Sequence, residues 1–217
     1  MTANMIKSCI TGLLLLCILS GIRAQPASPT WKEDALSFQK KQNKQYKSPR
    51  KSPLKTSDRR TFSRLNFYAP NPDFCVTARL ARTPDAQAFE VPTSSGKKKT
   101  YKSYGILHFE ISGQELSIPV YQNVKHIDHP KYGKFLFLPF TDLTSGDENY
   151  GGGRYMDLEI PEGDEILLDF NQCYNPYCAY ATGWNCPIPP QENFLNIRIE
   201  AGTKPGFFNK KGKLVDH

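Results

Sequence analysis

Polar side chains of the kinds that bind or activate a substrate are concentrated between residues 142 and 193. Arg154 carries a planar guanidinium that suits an anionic group, and the carboxylates of Asp142 and Asp169 have the chemistry of general bases. Asp169 and Asn171 are separated by one residue on a predicted strand and should face the same way. This pattern predicts a small polar pocket that is anchored by Arg154. The candidate ligand-binding residues are Asp142, Ser145, Arg154, Tyr155, Asp169, Asn171, Tyr174, Asn175 and Asn193.

The same residue types also suit two other roles. One is a buried hydrogen-bond network, in which Asn175 and Asn193 fasten the backbone of the Pro-rich loop. The other is a hydrolase-type enzyme, in which Asp142 or Asp169 is the base and Arg154 stabilises negative charge. An enzyme needs a solvent-accessible carboxylate with a raised pKa, whereas a scaffold buries that carboxylate against the arginine.

The cysteines form a second group with possible chemistry. Cys173, Cys178 and Cys186 lie within fourteen residues, in "QCYNPYCAYATGWNC". Structural zinc sites usually contain closely spaced ligand pairs, which this spacing lacks, and His126 and His129 fall in a predicted loop. A catalytic thiol would need a partner such as histidine, and the polar region around the cysteines contains none. The sequence therefore predicts neither a metal nor a cofactor.

The N-terminal residues predict export. Lys7 is followed by the apolar run "CITGLLLLCILSG" and then by a small residue at Ala24. The run is shorter than the roughly 20 residues of a membrane-spanning helix. Residues 1–24 are therefore predicted to be a cleaved signal peptide, which leaves no transmembrane segment. The mature protein is expected in the periplasm or outside the cell.

Residues 25–60 form a basic segment that should contain a helix and a linker. Between Gln25 and Phe67 there are 11 Lys and Arg against 3 Asp and Glu. The apolar residues from Trp31 to Phe38 are spaced as in a short amphipathic helix, and a Pro-containing linker follows at 48–54. An exported protein rarely meets nucleic acid, so no nucleic-acid partner is predicted. Contact with an anionic envelope polymer or a lipid headgroup stays open.

Residues 61–217 carry strand signals. Apolar and polar residues alternate in "FCVTARLA" (74–81), "YKSYGILHFEI" (101–111) and "KFLFLPF" (134–140). Ser112 to Gln114 separates two such runs, as in an antiparallel hairpin. The predicted fold class is mainly β, a single antiparallel β-sandwich or barrel-like domain with a short N-terminal amphipathic helix. We expect a monomer.

Three longer segments occur in a recognisable order: "FTDLTSGDENYGGGRYMDL", "LLDFNQCYNPYCAY" and "CPIPPQENFLNIRIEAG". By these motifs the chain resembles the bacterial and archaeal family named domain of unknown function 1684 (DUF1684). The resemblance extends from about Trp31 to the segment "IEAGTKPG". It implies a mostly β domain without an established activity, so it supports the fold class and leaves the function open.

The resemblance also bears on the cysteines. Four cysteines remain after the predicted cleavage, and they allow three pairings. Cys178 and Cys186 match cysteines of the family motifs, whereas Cys75 and Cys173 do not, and Tyr177 replaces a proline. In an oxidising, exported setting we expect a Cys178–Cys186 disulfide that closes a short loop. A second bond is expected between Cys75 and Cys173, on distant parts of the chain.

The sequence thus predicts an exported β-domain that binds a small polar or anionic ligand, or an envelope component, at the end formed by Arg154, Asp169 and Asn171. The hydrolase-type enzyme and a purely structural or interaction domain are the alternatives. Enzymatic activity is left open.

Overall fold

The structure is a computed structural model that describes residues 28–216. The predicted signal peptide, residues 1–24, lies outside the described residues. Two helices come first, α1 (Trp31–Lys47) and α2 (Thr56–Thr61). The eleven strands in the described part of the chain are β1 (Phe62–Phe67), β2 (Cys75–Arg82), β3 (Ala88–Pro92), β4 (Lys98–Ile111), β5 (Gln114–Asn123), β6 (Phe135–Asp142), β7 (Arg154–Glu159), β8 (Glu165–Asp169), β9 (Phe194–Leu195), β10 (Thr203–Asn209) and β11 (Leu214–Val215).

The larger of the two sheets curls into a half-barrel. Its strands follow the order β7-β6-β5-β4-β2-β8 in antiparallel pairs; β3 also pairs with β4, and β9 pairs with β6 in parallel. A separate antiparallel sheet has the order β1-β10-β11. The predicted fold class, mainly β and barrel-like with a short N-terminal helix, is confirmed.

The predicted hairpin at Ser112 is the β4–β5 turn. Ile111 and Gln114 are the last paired residues of the two strands. Ser112 and Gly113 have φ angles of 53° and 79°, both in the left-handed region. Two such residues between antiparallel strands match a type I′ turn, whose twist suits the twist of the flanking strands. This turn fixes the register of the longest strand pair of the half-barrel.

The side chains of β6 and β7 alternate between the two faces of the sheet. The facing pairs Leu138–Met156 and Phe140–Arg154 lie on the inner face, where Leu138, Met156 and Phe140 belong to the main hydrophobic core. The next pair, Phe137–Asp157, points to the outer face because successive side chains of a strand alternate. Neighbouring residues of β7 therefore enter different environments.

Helix α1 packs against the small sheet and the cysteine-containing segment. Ala35 and Tyr46 are its buried residues, and the Tyr46 ring lies 6.1 Å from Phe62 and 5.0 Å from Tyr180. Gln45 Nε2 donates to the Tyr177 hydroxyl at 2.6 Å. The helix is therefore fixed beside the loop that carries Tyr177. Neither helix in residues 28–216 has the length and hydropathy needed to cross a membrane.

Candidate functional site

Arg154 is the centre of the polar residues predicted from the sequence, and it lies in the protein interior. Its side chain has no exposed surface. Nη1 donates to the carbonyl oxygen of Ala201 at 2.6 Å, and Nη2 donates to that of Ile199 at 2.8 Å. Nη2 also lies 3.3 Å from Asp142 Oδ2. The guanidinium therefore joins β6 and β7 to residues 199–201 and is not open to a ligand.

The carboxylate of Asp142 is saturated by protein donors. Thr144 Oγ1 donates to both of its oxygens, at 2.8 and 2.9 Å, and Ser145 Oγ donates to Oδ1 at 3.1 Å. The backbone N–H of Ile199 donates to Oδ2 at 2.6 Å, in addition to Arg154. Asp142 has no exposed side-chain surface. A substrate proton cannot reach this carboxylate in the described geometry.

Gly153 explains how Arg154 enters the interior. Its φ angle is +80°, in the left-handed region. A Cβ atom at this position would overlap the carbonyl oxygen of Phe140 and the ring of Pro189. Glycine is therefore needed for the close approach of the Gly-rich loop to β6, immediately before the arginine.

Asp169 and Asn171 form a second buried group, and Arg154 is not among its hydrogen-bond partners. Asp169 Oδ1 accepts from Asn171 Nδ2 at 2.7 Å, and Oδ2 accepts from Gln172 Nε2 at 2.9 Å. Asn171 in turn pairs with the backbone of Asn71, with distances of 2.8 and 2.9 Å. These bonds tie the segment before β2 to the segment after β8.

Asn175 and Asn193 fasten loops elsewhere in the interior. Asn175 Nδ2 donates to the carbonyl oxygen of Lys204 at 3.0 Å. Asn193 Nδ2 donates to the carbonyl oxygens of Pro119 and Pro139, at 2.9 and 2.7 Å. Both asparagines have no exposed surface. We call Asp142, Arg154, Asp169, Asn171, Asn175 and Asn193 the buried polar groups; Ser145, which donates to Asp142, is half-buried.

The remaining two predicted residues, Tyr155 and Tyr174, lie on the outer face of the sheet and line a pocket. Their backbones form an isolated bridge, with N–H···O distances of 2.8 and 2.9 Å in the two directions. The Tyr155 hydroxyl donates to the carbonyl oxygen of Pro187. The two tyrosines thus connect β7 to the segment on either side of the disulfide.

This pocket, which we call the aromatic pocket, has a volume of about 430 Å³. On the sheet side, ring centroids are separated by 5.5 Å for Tyr101–Phe137 and 4.9 Å for Phe137–Tyr155. On the loop side, Tyr177 and Trp184 form an edge-to-face pair at 4.8 Å. The six aromatic residues that line the pocket are Tyr101, Phe137, Tyr155, Tyr174, Tyr177 and Trp184.

The loop side of the aromatic pocket is held by the Cys178–Cys186 disulfide, as predicted, with a Cα–Cα distance of 6.4 Å. The loop is also fixed to the end of β3. Ser94 N donates to the carbonyl oxygen of Cys186 at 2.9 Å, and Ile188 N donates to that of Pro92 at 2.9 Å. The clustered cysteines therefore position two aromatic side chains over the sheet.

The second predicted disulfide, between Cys75 and Cys173, is not formed. Cys173 is a buried thiol whose Sγ lies 3.5 Å from the carbonyl oxygen of Ala201, and burial raises its pKa to about 11. Gly202, with a φ of +75°, packs directly against the Cys173 sulfur. The thiol is thus directed at residues 201–202, while Cys75 begins β2 and faces Asp169 of β8.

Two ionisable side chains line the aromatic pocket in addition to the rings. Asp157 Oδ2 accepts a hydrogen bond from the Tyr174 hydroxyl at 3.0 Å. Desolvation raises the pKa of Asp157, against the opposing effects of the Tyr174 hydrogen bond and the Lys41 charge. Lys99 has a lowered pKa because of desolvation and the nearby charge of Lys125. Within residues 28–216 neither Asp157 nor Lys99 belongs to an ion pair.

The sequence interpretation missed most of the aromatic pocket. Its signal was present in the alternation of "KFLFLPF" and "RYMDLE", where Phe137 and Asp157 occupy positions opposite in phase to the core residues Leu138 and Met156. A large aromatic residue in the outward phase of a strand indicates that this face is covered. The covering segment could not be identified from local pattern because it lies far away in sequence.

Comparison with known proteins identified a family and similar solved structures. The family model described as Protein of unknown function (DUF1684) matches residues 60–204, a range that includes every residue of the aromatic pocket. The solution NMR structure of an uncharacterized protein from Haloarcula marismortui is similar, with 31% sequence identity and a TM-score of 0.63. That match covers 80% of this chain and 94% of the other. The search of curated proteins found no significant match.

Proposed function

The chain belongs to the family of proteins of unknown function DUF1684, and on this premise we propose that it is an exported β-domain that binds a small organic ligand in the aromatic pocket. The observation that carries the proposal is a cavity of about 430 Å³ lined by six aromatic rings. Small-molecule sites have volumes of about 300–1,000 Å³ and are mainly apolar, with a few polar groups that orient the ligand. The aromatic pocket has this composition.

The two charged groups favour ligand binding over simple packing. Asp157 and Lys99 both line the aromatic pocket, yet they form no ion pair with each other. Asp157 is exposed and Lys99 is half-buried, so water solvates part of each charge in the free protein, and a ligand with a polar or charged group would take the place of that water. Lys99 suits the anionic group that we expected from the sequence, while Asp157 suits a cationic group or a hydrogen-bond donor.

Export rests on the sequence of residues 1–24 and is supported by the Cys178–Cys186 disulfide. Structural disulfides persist mainly in oxidising compartments such as the periplasm and the cell exterior. A ligand would then be a small molecule of that compartment or a component of the cell envelope.

The hydrolase-type alternative has less support. It needs Asp142 or Asp169 as a base, but the two residues are 2% and 4% exposed and their carboxylates accept several protein hydrogen bonds. A general base must come within hydrogen-bond reach of the proton that it removes. The buried polar groups instead have the geometry of a scaffold that holds loops around the half-barrel.

The experiment is a ligand screen that uses Trp184 as the reporter. The chain has two tryptophans, so Trp31→Phe leaves Trp184, in the loop wall, as the single tryptophan. We expect members of a library of small aromatic and aliphatic metabolites to change its fluorescence and to raise the melting temperature. Mass analysis of the recovered ligand would show any turnover.

A matched pair of variants locates the binding. Trp184→Ala removes an aromatic residue that is 37% exposed and lines the aromatic pocket. Phe194→Ala removes one that is 47% exposed and lies on β9, outside the pocket. Binding measured by calorimetry should weaken about tenfold or more in the first variant and stay unchanged in the second. Equal effects in both, or no ligand in the whole screen, would contradict the proposal.

A further inference from the structure

Asp157 is an exposed carboxylate with unused acceptor capacity on the lining of the aromatic pocket. The Tyr174 hydroxyl provides the single side-chain hydrogen bond that it receives among the described residues. A carboxylate has two oxygens and about four acceptor positions. Asp142, by contrast, receives bonds from three side chains and one backbone N–H. The pocket carboxylate is thus available to a cationic or donor group of a ligand.

The rings around Asp157 have the arrangement that attracts an organic cation. Phe137 is its direct cross-strand neighbour, and the Tyr174 ring, whose hydroxyl holds Asp157, is perpendicular to Tyr155 at 5.9 Å. Trp184 belongs to the opposite wall. A cation is attracted when it lies within about 6 Å of a ring centroid, most strongly over tryptophan. Several rings and one carboxylate therefore act on the same volume.

A metal ion is a poor candidate for this site. Calcium takes about six to eight oxygen ligands, and magnesium demands nearly ideal octahedral geometry. In residues 28–216 no group of three or more His, Cys, Asp or Glu side chains is placed to hold a metal. A single carboxylate surrounded by rings suits a large, weakly hydrated cation with an apolar surface instead.

Lys99 is the second charged residue that lines the aromatic pocket, and its strand is not adjacent to the strand of Asp157. Lys99 is on β4 and Asp157 is on β7, with β5 and β6 between them. Three strand spacings correspond to about 14 Å along a sheet. This spacing is between the backbones of the two strands, and a ligand cation is expected on the Asp157 side of the pocket, away from the like charge of Lys99.

We propose that the aromatic pocket is an organic-cation site, in which Asp157 and the rings of Phe137, Tyr155, Tyr174 and Trp184 hold a quaternary ammonium group. This inference rests on the proposed function, since it requires the pocket to bind a small molecule. It goes further by naming the chemical class of the ligand.

The test compares choline with its uncharged isostere 3,3-dimethyl-1-butanol, using the intact Trp31→Phe protein and calorimetry together with Trp184 fluorescence. The two probes differ in the positive charge and have nearly the same shape. We expect choline to bind about tenfold more tightly, the size of effect that a desolvated cation–π contact together with a carboxylate provides. Equal affinity for the two probes would overturn the inference.

The second arm changes the carboxylate. Asp157→Asn keeps the size of the side chain and should reduce the preference for choline to the part that the rings provide, whereas binding of the neutral isostere should be unchanged. Glu159→Gln is the matched control because Glu159 lies on the same face of β7, is exposed and does not line the aromatic pocket. A choline preference that is undiminished in the Asp157 variant would also overturn the inference.

The outcomes separate the two proposals. If the pocket binds neutral molecules of the library but shows no preference for choline over its isostere, the proposed function stands and the cation site is wrong. If Trp184 responds to no probe, both are wrong. A choline preference that depends on Asp157 and is unaffected by Glu159→Gln supports both.

Discussion

Strand β7 carries charged residues on both faces of the sheet, and two of them, Arg154 and Asp157, have opposite surroundings. Arg154 points inward and is bonded to Asp142 and to two backbone carbonyls. Asp157, three residues later, points outward into the aromatic pocket and receives one hydrogen bond from Tyr174. A buried carboxylate whose oxygens are all bonded to protein donors, such as Asp142, holds parts of the fold together, whereas a pocket carboxylate with unused acceptor positions is available for binding.

This contrast shows why residue type alone is a poor guide to a site. The buried polar groups and the aromatic pocket both contain carboxylates, tyrosines or amides near strand ends. From the sequence, either set would be interpreted as a polar pocket. What separates them is the number of protein donors that each carboxylate already has. Asp142 is saturated by its own chain, and Asp157 is not.

The largest expected effect is on the inner face. Arg154→Met should lower the free energy of unfolding by about 3–5 kcal/mol, because it leaves Asp142 charged, buried and without its cation. Urea denaturation measures this change. Arg82→Met is the control, since the Arg82–Asp164 pair is partly exposed and should contribute about 1 kcal/mol or less. If the Arg154 variant has normal stability but has lost ligand binding, the inner face would be the binding site, contrary to our interpretation.

The second prediction concerns the disulfide that holds the loop side of the aromatic pocket. Replacing Cys178 and Cys186 by serine should lower the free energy of unfolding by about 2.5 kcal/mol, the loop-entropy cost expected for a separation of 8 residues. Ligand binding should weaken as well, because Tyr177 and Trp184 lose a fixed position over the pocket. The measurements are urea denaturation and calorimetry with the screened ligand.

A reductant provides the control for the disulfide. It should lower the melting temperature of the natural sequence and leave the double serine variant unchanged. Should the variant bind the ligand with full affinity, the disulfide would be a staple for the fold alone and not a determinant of the pocket wall.

A smaller effect is expected when Asp157 is replaced by asparagine. Because desolvation raises the pKa of Asp157, the folded protein disfavours its ionised form, and a neutral side chain should leave stability unchanged or slightly higher near neutral pH. The change should be less than about 0.5 kcal/mol. Asp142→Asn, the matched change on the inner face, should cost several times more. Equal losses in the two variants would mean that Asp157 is a structural group.

The fold was predictable from the sequence because its signals are local. The alternation in β4 and β6 and the turn at Ser112–Gly113 depend on neighbours along the chain, and both are found in the structure. The Cys178–Cys186 bond was predictable for a similar reason, since it closes a loop with a separation of only 8 residues.

The pairing of distant groups was less predictable. The predicted Cys75–Cys173 bond is absent because the Cys173 thiol points to Ala201 and Gly202, which follow it by about thirty residues. The sequence interpretation assigned Arg154 as a ligand anchor. That role requires guanidinium donors that are available to a ligand, whereas in the structure they bind Asp142 and two backbone carbonyl groups. No pattern in the neighbouring sequence indicates that the carbonyl groups of Ile199 and Ala201 approach the Arg154 guanidinium.

The last prediction, for which we expect the smallest effect, is the pH dependence of choline affinity. The ionised form of Asp157 is the form that attracts the cation, so affinity should be full above the folded-state pKa and fall as the pH is lowered through it. Since that pKa is raised by desolvation, the loss should begin at a higher pH than for an ordinary aspartate.

The neighbouring groups do not produce the same pH profile. Tyr174 has a raised pKa and stays neutral in acid, while Lys99, whose pKa is lowered by desolvation and by Lys125, stays charged there. Titrating choline at several acidic pH values, in the natural sequence and in Asp157→Asn, measures the effect. The natural sequence should show a single-proton dependence, and the variant should show none. A profile that is identical in the two proteins would assign the proton to another group and remove Asp157 from the centre of the site.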